Sequence, residues 1–382
     1  MNAPERVLKT INHEEPDRVP SFESTFTNNS IMKHYGIPIE DVKYIKVPDK
    51  ILKKVEENTK AFRKNYINLY KLFRIIGIDM FLSNTCFFPR KMLTDEKYID
   101  EYGRIMQKEI YEKDGTIIIG YIGGHFKNFD DYECWEQPDP HWEARLNHFL
   151  LGREVQEEMK NEIFSIPFTS GLMEASWQSF GLEIFSRILK KPNQCRRIFD
   201  DKGKFTLELV KIFAENDAQL ILIFDDYGYK NGLFMSPRNY RKYIFPWMKQ
   251  ICEAAHKRNC KIILHSDGDL AEIFDDIINC GVDAINPIEP TTANPDYDIF
   301  KLNEKYGDKI TFAGNLSPTM LATGEISEIE EYAKRLIREL APGGGYIFSS
   351  GHSINPAVTV DRFEAMHNIR KKYGIYPINV PD

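Results

Sequence analysis

Short runs of apolar and β-branched residues recur along this chain of 382 residues, and each run stops at a polar residue before a helical stretch begins. Eight of these runs are predicted to be strands: residues 19–22, 79–83, 163–168, 220–224, 261–264, 284–288, 310–313 and 346–349. Strands that are apolar throughout and alternate with helices indicate a parallel sheet covered on its outer face. Eight such units favour an α/β fold of the closed (β/α)8 type, the TIM barrel, with an open doubly wound sheet as the alternative.

Two segments do not fit eight simple units, residues 25–75 and residues 86–160. Within the second segment, two extended runs flank Lys113-Asp114-Gly115, which predicts a β-hairpin. We expect a single barrel domain over residues 1–382, with the segment at about 86–160 inserted over the mouth of the barrel. The aromatic residues of this insertion can form a lid or a face that docks a partner, or a satellite core under a long loop.

The composition excludes several classes of function. Hydrophobic residues make up 42% of the chain and charged residues 28%, which is typical of a soluble globular enzyme. Acidic side chains outnumber basic ones by 57 to 50 without a basic block, so we do not expect a nucleic-acid partner. No apolar run reaches membrane-spanning length and no signal sequence is apparent, so a cytoplasmic protein is expected. The six cysteines include no CxxC pair and are expected to be reduced thiols.

Catalytic residues of such a barrel lie at the carboxyl ends of its strands, and polar residues are dense there. These residues are Glu23, Asn84, Ser170, Glu174, Asp225, Asp226, His265, Asp267, Glu289, Asn315 and His352. His265 and Asp267 share a face of their strand, and both can reach one centre if the chain curls at Gly268. Adjacent strand residues point to opposite faces, so one of Asp225 and Asp226 faces the barrel interior, and the sequence leaves open which one.

Four stretches resemble the uroporphyrinogen decarboxylase superfamily: LILIFDDYG (220–228), ILHSDGD (263–269), AGNLSPTML (313–321) and YIFSSGHSINPAVTVDRFEAM (346–366). The similarity runs in order from about Pro16 to Tyr376, and it implies a (β/α)8 barrel. The superfamily has two main branches. One contains decarboxylases of the porphyrin pathway, and the other contains methyltransferases that pass methyl groups to or from a corrinoid-carrying protein.

The decarboxylase branch implies an aspartate at the end of the second strand and an arginine-rich stretch after the first. This chain has Asn84 at the first of these places, and ESTFTNNSIMKHYG at residues 23–36 contains no arginine. Buried carboxylates of a substrate are very costly without cationic partners. Porphyrinogen decarboxylation is therefore disfavoured, and we keep it as an alternative function.

The thiol-methylating members of the other branch imply a zinc held by His-x-Cys at the fifth strand and by a cysteine at the eighth. Here His265 and Asp267 stand at the first pair, His352 lies near the last ligand, and Glu289 near the sixth strand could add a carboxylate. Without thiolates, such a zinc is a stronger Lewis acid and holds an electron-rich thiolate less well. Methyl transfer from a methylcorrinoid to a thiol is therefore a second alternative.

We therefore predict a corrinoid-dependent methyltransferase, such as an O-demethylase that moves the methyl group of an aromatic methyl ether to the cobalt of a separate corrinoid protein. An aryl ether reacts once its leaving oxygen is protonated or bound to a Lewis acid. The expected catalytic residues are His265, Asp267 and the inward-facing one of Asp225 and Asp226. The residues expected to bind the donor are Asn84, Glu174, Asn315 and His352, with aromatic residues at the mouth against a flat ring.

The cobalamin is expected to stay on the partner protein, because this chain has no Asp-x-His-x-x-Gly stretch for binding it. A homodimer remains an open option. The non-enzymatic alternative is a catalytically silent barrel that serves as a binding or scaffold protein.

Overall fold

The computed structural model describes residues 1–38 and 59–381 of the chain. Its helices are α1 (Ala3–Ile11), α2 (Asn29–His34), α3 (Thr59–Ile76), α4 (Phe129–Glu133), α5 (Glu143–Glu158), α6 (Met173–Phe180), α7 (Leu182–Ile188), α8 (Pro192–Glu215), α9 (Pro237–Tyr243), α10 (Phe245–His256), α11 (Phe274–Asn279), α12 (Ile299–Tyr306), α13 (Pro318–Thr323), α14 (Ile326–Leu340) and α15 (Val360–Tyr373). Its strands are β1 (Met80–Ser83), β2 (Pro89–Met92), β3 (Lys97–Asp100), β4 (Arg104–Tyr111), β5 (Thr116–Gly124), β6 (Phe164–Ser170), β7 (Leu220–Phe224), β8 (Gly228–Tyr229), β9 (Gly232–Leu233), β10 (Lys261–His265), β11 (Ala284–Asn286), β12 (Thr311–Leu316) and β13 (Tyr346–Ser350).

Seven parallel strands form one curled sheet in the order β1–β6–β7–β10–β11–β12–β13. They coincide with seven of the eight apolar runs, so the predicted α/β class with a parallel sheet is confirmed. The strands are buried along nearly their whole length because helices cover the outer face of the sheet. In α14, for example, the buried residues recur at spacings of three and four and present one apolar face: Ile329, Ala333, Leu336, Ile337 and Leu340. No helix among the described residues has both the length and the apolarity needed to cross a membrane.

The remaining run, at residues 19–22, meets both edges of this sheet through isolated bridges. Phe22 pairs with Met80 on β1 and Ser21 pairs with Phe348 on β13, both in parallel. The Phe22 N–H donates to the Phe348 carbonyl at 3.0 Å. Pro20 has no N–H to donate, which limits the length of a regular ladder here.

Asp79, just before β1, fastens residues 19–22 to the sheet. Its fully buried carboxylate accepts hydrogen bonds from Arg6 Nη1 at 2.8 Å and from Arg18 Nη2 at 2.7 Å. The same carboxylate accepts the Ser21 N–H at 2.8 Å. One buried acceptor therefore joins α1, the bridging segment and β1.

Between β1 and β6 the chain forms a four-stranded antiparallel sheet in the order β2–β3–β4–β5. Strands β4 and β5 pair antiparallel across the turn at Lys113-Asp114-Gly115. At the tip of this pair, Asp114 accepts the Ser30 N–H of α2 at 2.9 Å. A lid over the mouth of a barrel stays a prediction for this segment. Of the segment 25–75, residues 39–58 lie outside the described residues.

We expect Asp79→Ala to lower the free energy of unfolding by about 3–5 kcal/mol, because two guanidinium groups and a backbone N–H lose their shared buried acceptor. Urea denaturation measures this change. The matched control is Asp296→Ala, since the Asp296 side chain is 82% exposed and lies 2.8 Å from Lys301. That control should cost about 1 kcal/mol or less. Equal effects of the two substitutions would contradict the role assigned to Asp79.

Candidate functional site

The ring of His265, at the end of β10, is oriented by Asn286 at the end of β11. His265 Nδ1 lies 2.8 Å from Asn286 Oδ1. The amide nitrogen of Asn286 donates to the Ala313 carbonyl at 2.9 Å, so the amide oxygen faces the histidine and His265 Nδ1 carries the proton. His265 Nε2 is therefore an acceptor with a free lone pair. Burial lowers the pKa of His265, which keeps the ring neutral at neutral pH.

Two carboxylates lie near the lone pair of His265 Nε2. Asp267 Oδ1 lies 3.9 Å from His265 Nε2, and it is buried without a hydrogen-bond partner among the described residues. Asp226 adds the third group, and one of its oxygens accepts the Asp267 N–H at 2.9 Å. One ligand atom from each of the three residues lies within 4.8 Å of the other two. Asp226, His265 and Asp267, here called the acceptor cluster, thus turn acceptor atoms toward one another.

The curl that brings His265 and Asp267 to one centre lies at Gly268. Its φ is +91°, and a Cβ at this position would lie 2.3 Å from the carbonyl carbon of Gly228. Only glycine fits such a close approach of two backbones. The Gly268 N–H donates to Glu289 Oε2 at 3.1 Å, and the Thr291 hydroxyl donates to Glu289 Oε1. Glu289 therefore holds this turn through Oε2 and is itself held by Thr291 through Oε1, and it does not lie within the acceptor cluster.

The two adjacent aspartates after β7 have different surroundings. The Asp225 carboxylate accepts the backbone N–H groups of Leu172, Met173 and Glu174 at 2.8, 2.7 and 2.9 Å. It therefore caps the first turn of α6. Asp225 lies outside the acceptor cluster, and the aspartate that faces the cluster is Asp226.

Glu174, on the first turn of α6, lies beside the acceptor cluster and the Arg104 guanidinium. Burial raises the pKa of Glu174, and the nearby charge of Asp267 adds to this effect while Arg104 and His265 oppose it. Arg104 Nη1 is 3.5 Å from Glu174 Oε1. Arg104 is already paired through its Nε with Asp100 at 2.5 Å. Glu174 therefore keeps its proton to a higher pH than an exposed glutamate does.

The three other predicted residues have different surroundings. His352 approaches from the solvent side, with its side chain 53% exposed and its Nε2 3.6 Å from Asp267 Oδ2. The Asn315 side chain donates to the Ile288 carbonyl at 2.7 Å and accepts from the Tyr332 hydroxyl at 2.9 Å, so its amide is used within the scaffold. Asn84 is half-buried, and its N–H donates to the Tyr66 hydroxyl at 2.8 Å.

Three phenylalanines line the apolar side of the site, and we call them the phenylalanine wall: Phe87, Phe168 and Phe224. The Phe224 ring lies 4.9 Å from the His265 ring and 5.4 Å from the Phe168 ring. The Phe87 ring lies 5.7 Å from the Phe168 ring. Polar groups that titrate therefore adjoin an aromatic surface.

Sequence reasoning missed Asn286 and the phenylalanine wall. Asn286 lies in the middle of the predicted strand 284–288, whereas β11 ends at Asn286, so the search for polar residues after each strand selected Glu289 instead. Phe168 and Phe224 carried no signal, because phenylalanine is common in any buried strand. Phe87 follows β1 in an irregular stretch whose conformation was not predicted.

The family model for uroporphyrinogen decarboxylase (URO-D) matches residues 114–373, more than half of the chain. This chain belongs to the URO-D family. The superfamily expected from the sequence motifs is therefore confirmed.

Similar proteins within and around the URO-D family carry names for two reactions. The uroporphyrinogen decarboxylase of Colwellia psychrerythraea is 24% identical over 255 residues, which cover 62% of this chain and 67% of that protein. The uroporphyrinogen decarboxylase of Aeromonas salmonicida is 22% identical over 263 residues, which cover 65% of this chain and 70% of that protein. A solved structure of a methyltransferase from Methanosarcina mazei is similar with a TM-score of 0.69 and 18% identity, over 98% of this chain and 99% of that one. At such identity the last similarity shows a shared fold.

We expect Asp226→Asn to stabilise the protein without added metal, by about 1–2 kcal/mol at neutral pH. The substitution removes one of several crowded carboxylates, and its new N–H group supplies a donor where acceptors face one another. Thermal unfolding should show a melting temperature raised by a few degrees. Asp296→Asn is the control, because the Asp296 side chain is 82% exposed, and it should change little. A lower melting temperature for Asp226→Asn would contradict the destabilising effect of the crowded carboxylates in the acceptor cluster.

Proposed function

We propose that this protein is a methyltransferase of the URO-D family that moves a methyl group from a small donor, an aromatic methyl ether, to the cobalt of a separate corrinoid protein. The observation that carries the proposal is the acceptor cluster of Asp226, His265 and Asp267 beside the phenylalanine wall. Such a site offers groups that hold a proton or a cation at one side of a flat apolar surface.

The charge of the site disfavours the decarboxylase alternative. Asp226, Asp267 and Glu174 crowd around His265, and a substrate with many carboxylates would add like charges to this group. Arg104, the guanidinium nearest to Glu174 among the described contacts, is already paired with Asp100. The names of the curated relatives favour uroporphyrinogen decarboxylation, which therefore stays the second candidate.

The acceptor cluster fits a divalent cation such as zinc. Its donor set of two carboxylates and one neutral imidazole suits zinc, and the buried Asp267 Oδ1 lacks the partner that a cation would provide. The hydrogen bond from His265 Nδ1 to Asn286 is the support that metal-binding histidines commonly have. Asp226, His265 and Asp267 would hold the ion, with His352 as a further ligand from the solvent side. Bound there, a zinc ion supplies Lewis acidity toward the leaving oxygen of the donor.

Glu174 is the proton donor in this proposal. As the bond between the oxygen and the methyl carbon breaks, the methyl group passes to the cobalt(I) of the partner, which supplies the electron pair of the new bond. The leaving oxygen takes the Glu174 proton and departs as a phenol. Burial raises the pKa of Glu174 and so favours its protonated form, and Asp225 positions the residue by capping α6. The phenylalanine wall excludes water from the reacting atoms.

Two features of the fold extend the proposal. Residues 20–22 bridge both edges of the curled sheet, which supports their role as the first strand of a closed (β/α)8 barrel. The β4–β5 pair is tied at its tip to α2 through Asp114, which supports its role as a lid over the strand ends.

We expect the protein to bind about one zinc per chain and His265→Ala to lose this ion. Asn286→Ala should weaken zinc binding by about tenfold to a hundredfold, because the imidazole loses the acceptor that orients it. Metal analysis after dialysis and competition with a chromogenic chelator measure both effects. His256→Ala is the control. His256 pairs with Asp283 beside the first residues of β10, whereas His265 is the last residue of this strand. Equal zinc content in wild type and His265→Ala would contradict the site.

The activity test uses 2-methoxyphenol as donor and free cob(I)alamin as acceptor, with methylcobalamin followed by its absorbance. We expect methyl transfer by the wild type and a loss of about a hundredfold or more in Glu174→Gln, which cannot donate the proton. Uroporphyrinogen III is supplied to the same preparation in parallel. Its decarboxylation without any methyl transfer would overturn the proposal in favour of the second candidate.

A further inference from the structure

Phe87 adopts a backbone conformation that is unfavourable for a residue with a side chain. Its φ is +66°, in the left-handed region, where a bulky residue is rare. Glycine would allow the same turn without strain. A large aromatic residue kept in this conformation indicates that its ring is needed where the turn places it.

A buried ion pair holds this strained turn. Glu101 Oε1 accepts the N–H groups of Phe87 at 2.9 Å and of Phe88 at 3.3 Å. Glu101 is itself bound by the guanidinium of Arg145, which also donates to the Thr85 carbonyl at 3.1 Å. Both Glu101 and Arg145 are buried. Glu101 and Arg145 thus hold the backbone on both sides of Phe87. These hydrogen bonds stabilise the turn against its backbone strain.

The turn places the Phe87 ring one side chain away from the acceptor cluster and one side chain away from Glu174. The ring lies 6.1 Å from that of Phe224, which in turn lies 4.9 Å from the His265 ring. Another neighbour of the ring is the Arg104 guanidinium, 4.2 Å from the ring centroid, and the same guanidinium lies 3.5 Å from Glu174. Phe87 and Phe224 are half-buried, so part of each ring remains accessible.

We propose that Phe87 is the residue that selects a planar aromatic donor, by forming the face of the phenylalanine wall against which the aryl ring packs. This inference rests on the proposed function for the identity of the reaction. The binding of an aromatic ring against Phe87 does not depend on that function. Aromatic rings attract one another in offset and edge-to-face arrangements at such centroid distances. A donor without a ring or a cationic group, such as methanol, gains little from this face.

The test compares Phe87→Leu and Phe87→Gly with the wild type. Isothermal titration with 2-methoxyphenol, without cobalamin, measures ring binding by itself, and we expect both variants to weaken binding by about tenfold to a hundredfold. Phe87→Gly removes the backbone strain, so its melting temperature separates loss of the ring from loss of the fold. Phe88→Leu is the matched control, because the Phe88 ring packs on Trp142 at 4.9 Å and on His148 at 5.7 Å, and its binding should equal that of the wild type.

The rate of methyl transfer from 2-methoxyphenol and from methanol to cob(I)alamin is the second readout. A selective loss with the aromatic donor in the Phe87 variants supports the inference. Weakened ring binding in a protein that transfers no methyl group would refute the proposed function and leave the role of Phe87 standing. Binding of 2-methoxyphenol that is undetectable in the wild type, or unchanged in both Phe87 variants, overturns the inference.

Discussion

The hydrogen bond between His265 and Asn286 determines what the carboxyl end of this sheet can do. It joins the ends of two neighbouring strands, and it fixes the proton on His265 Nδ1 because the Asn286 amide nitrogen is held by a third strand. The lone pair of His265 Nε2 must then face Asp267. A neutral imidazole opposite buried carboxylate oxygens requires either a proton or a cation between them. The chemistry proposed for the site follows from this single orientation.

Several polar groups of the surrounding scaffold hold that geometry. Glu289 fixes the turn at Gly268, and Asp225 caps the helix that carries Glu174. Glu101 and Arg145 hold the turn at Phe87. These groups have hydrogen-bond partners within the fold, whereas Asp267 Oδ1 has none among the described residues. The contrast between satisfied positioning groups and an unsatisfied centre distinguishes the reacting atoms from their supports.

The parallel sheet was predictable from the sequence, because a strand that is buried on both faces is apolar throughout. That signal located seven strands, but it could not show that Pro20 limits residues 19–22 to isolated bridges. At the site, the spacing of His265 and Asp267 was sufficient to pair them. It could not separate Asp225 from Asp226, because the choice depends on where the first turn of α6 lies. Glu289 and Asn315 matched the polar pattern of catalytic residues, yet their partners are groups distant in sequence that no local pattern reveals.

The most direct test of the account is the zinc K-edge absorption spectrum of the zinc-loaded protein. The acceptor cluster predicts a first shell of nitrogen and oxygen only, at about 2.0–2.2 Å, with the scattering of imidazole. The imidazole contribution should fall in His265→Ala if any zinc remains. A sulfur contribution at about 2.3 Å would place the ion on a cysteine instead and contradict the account.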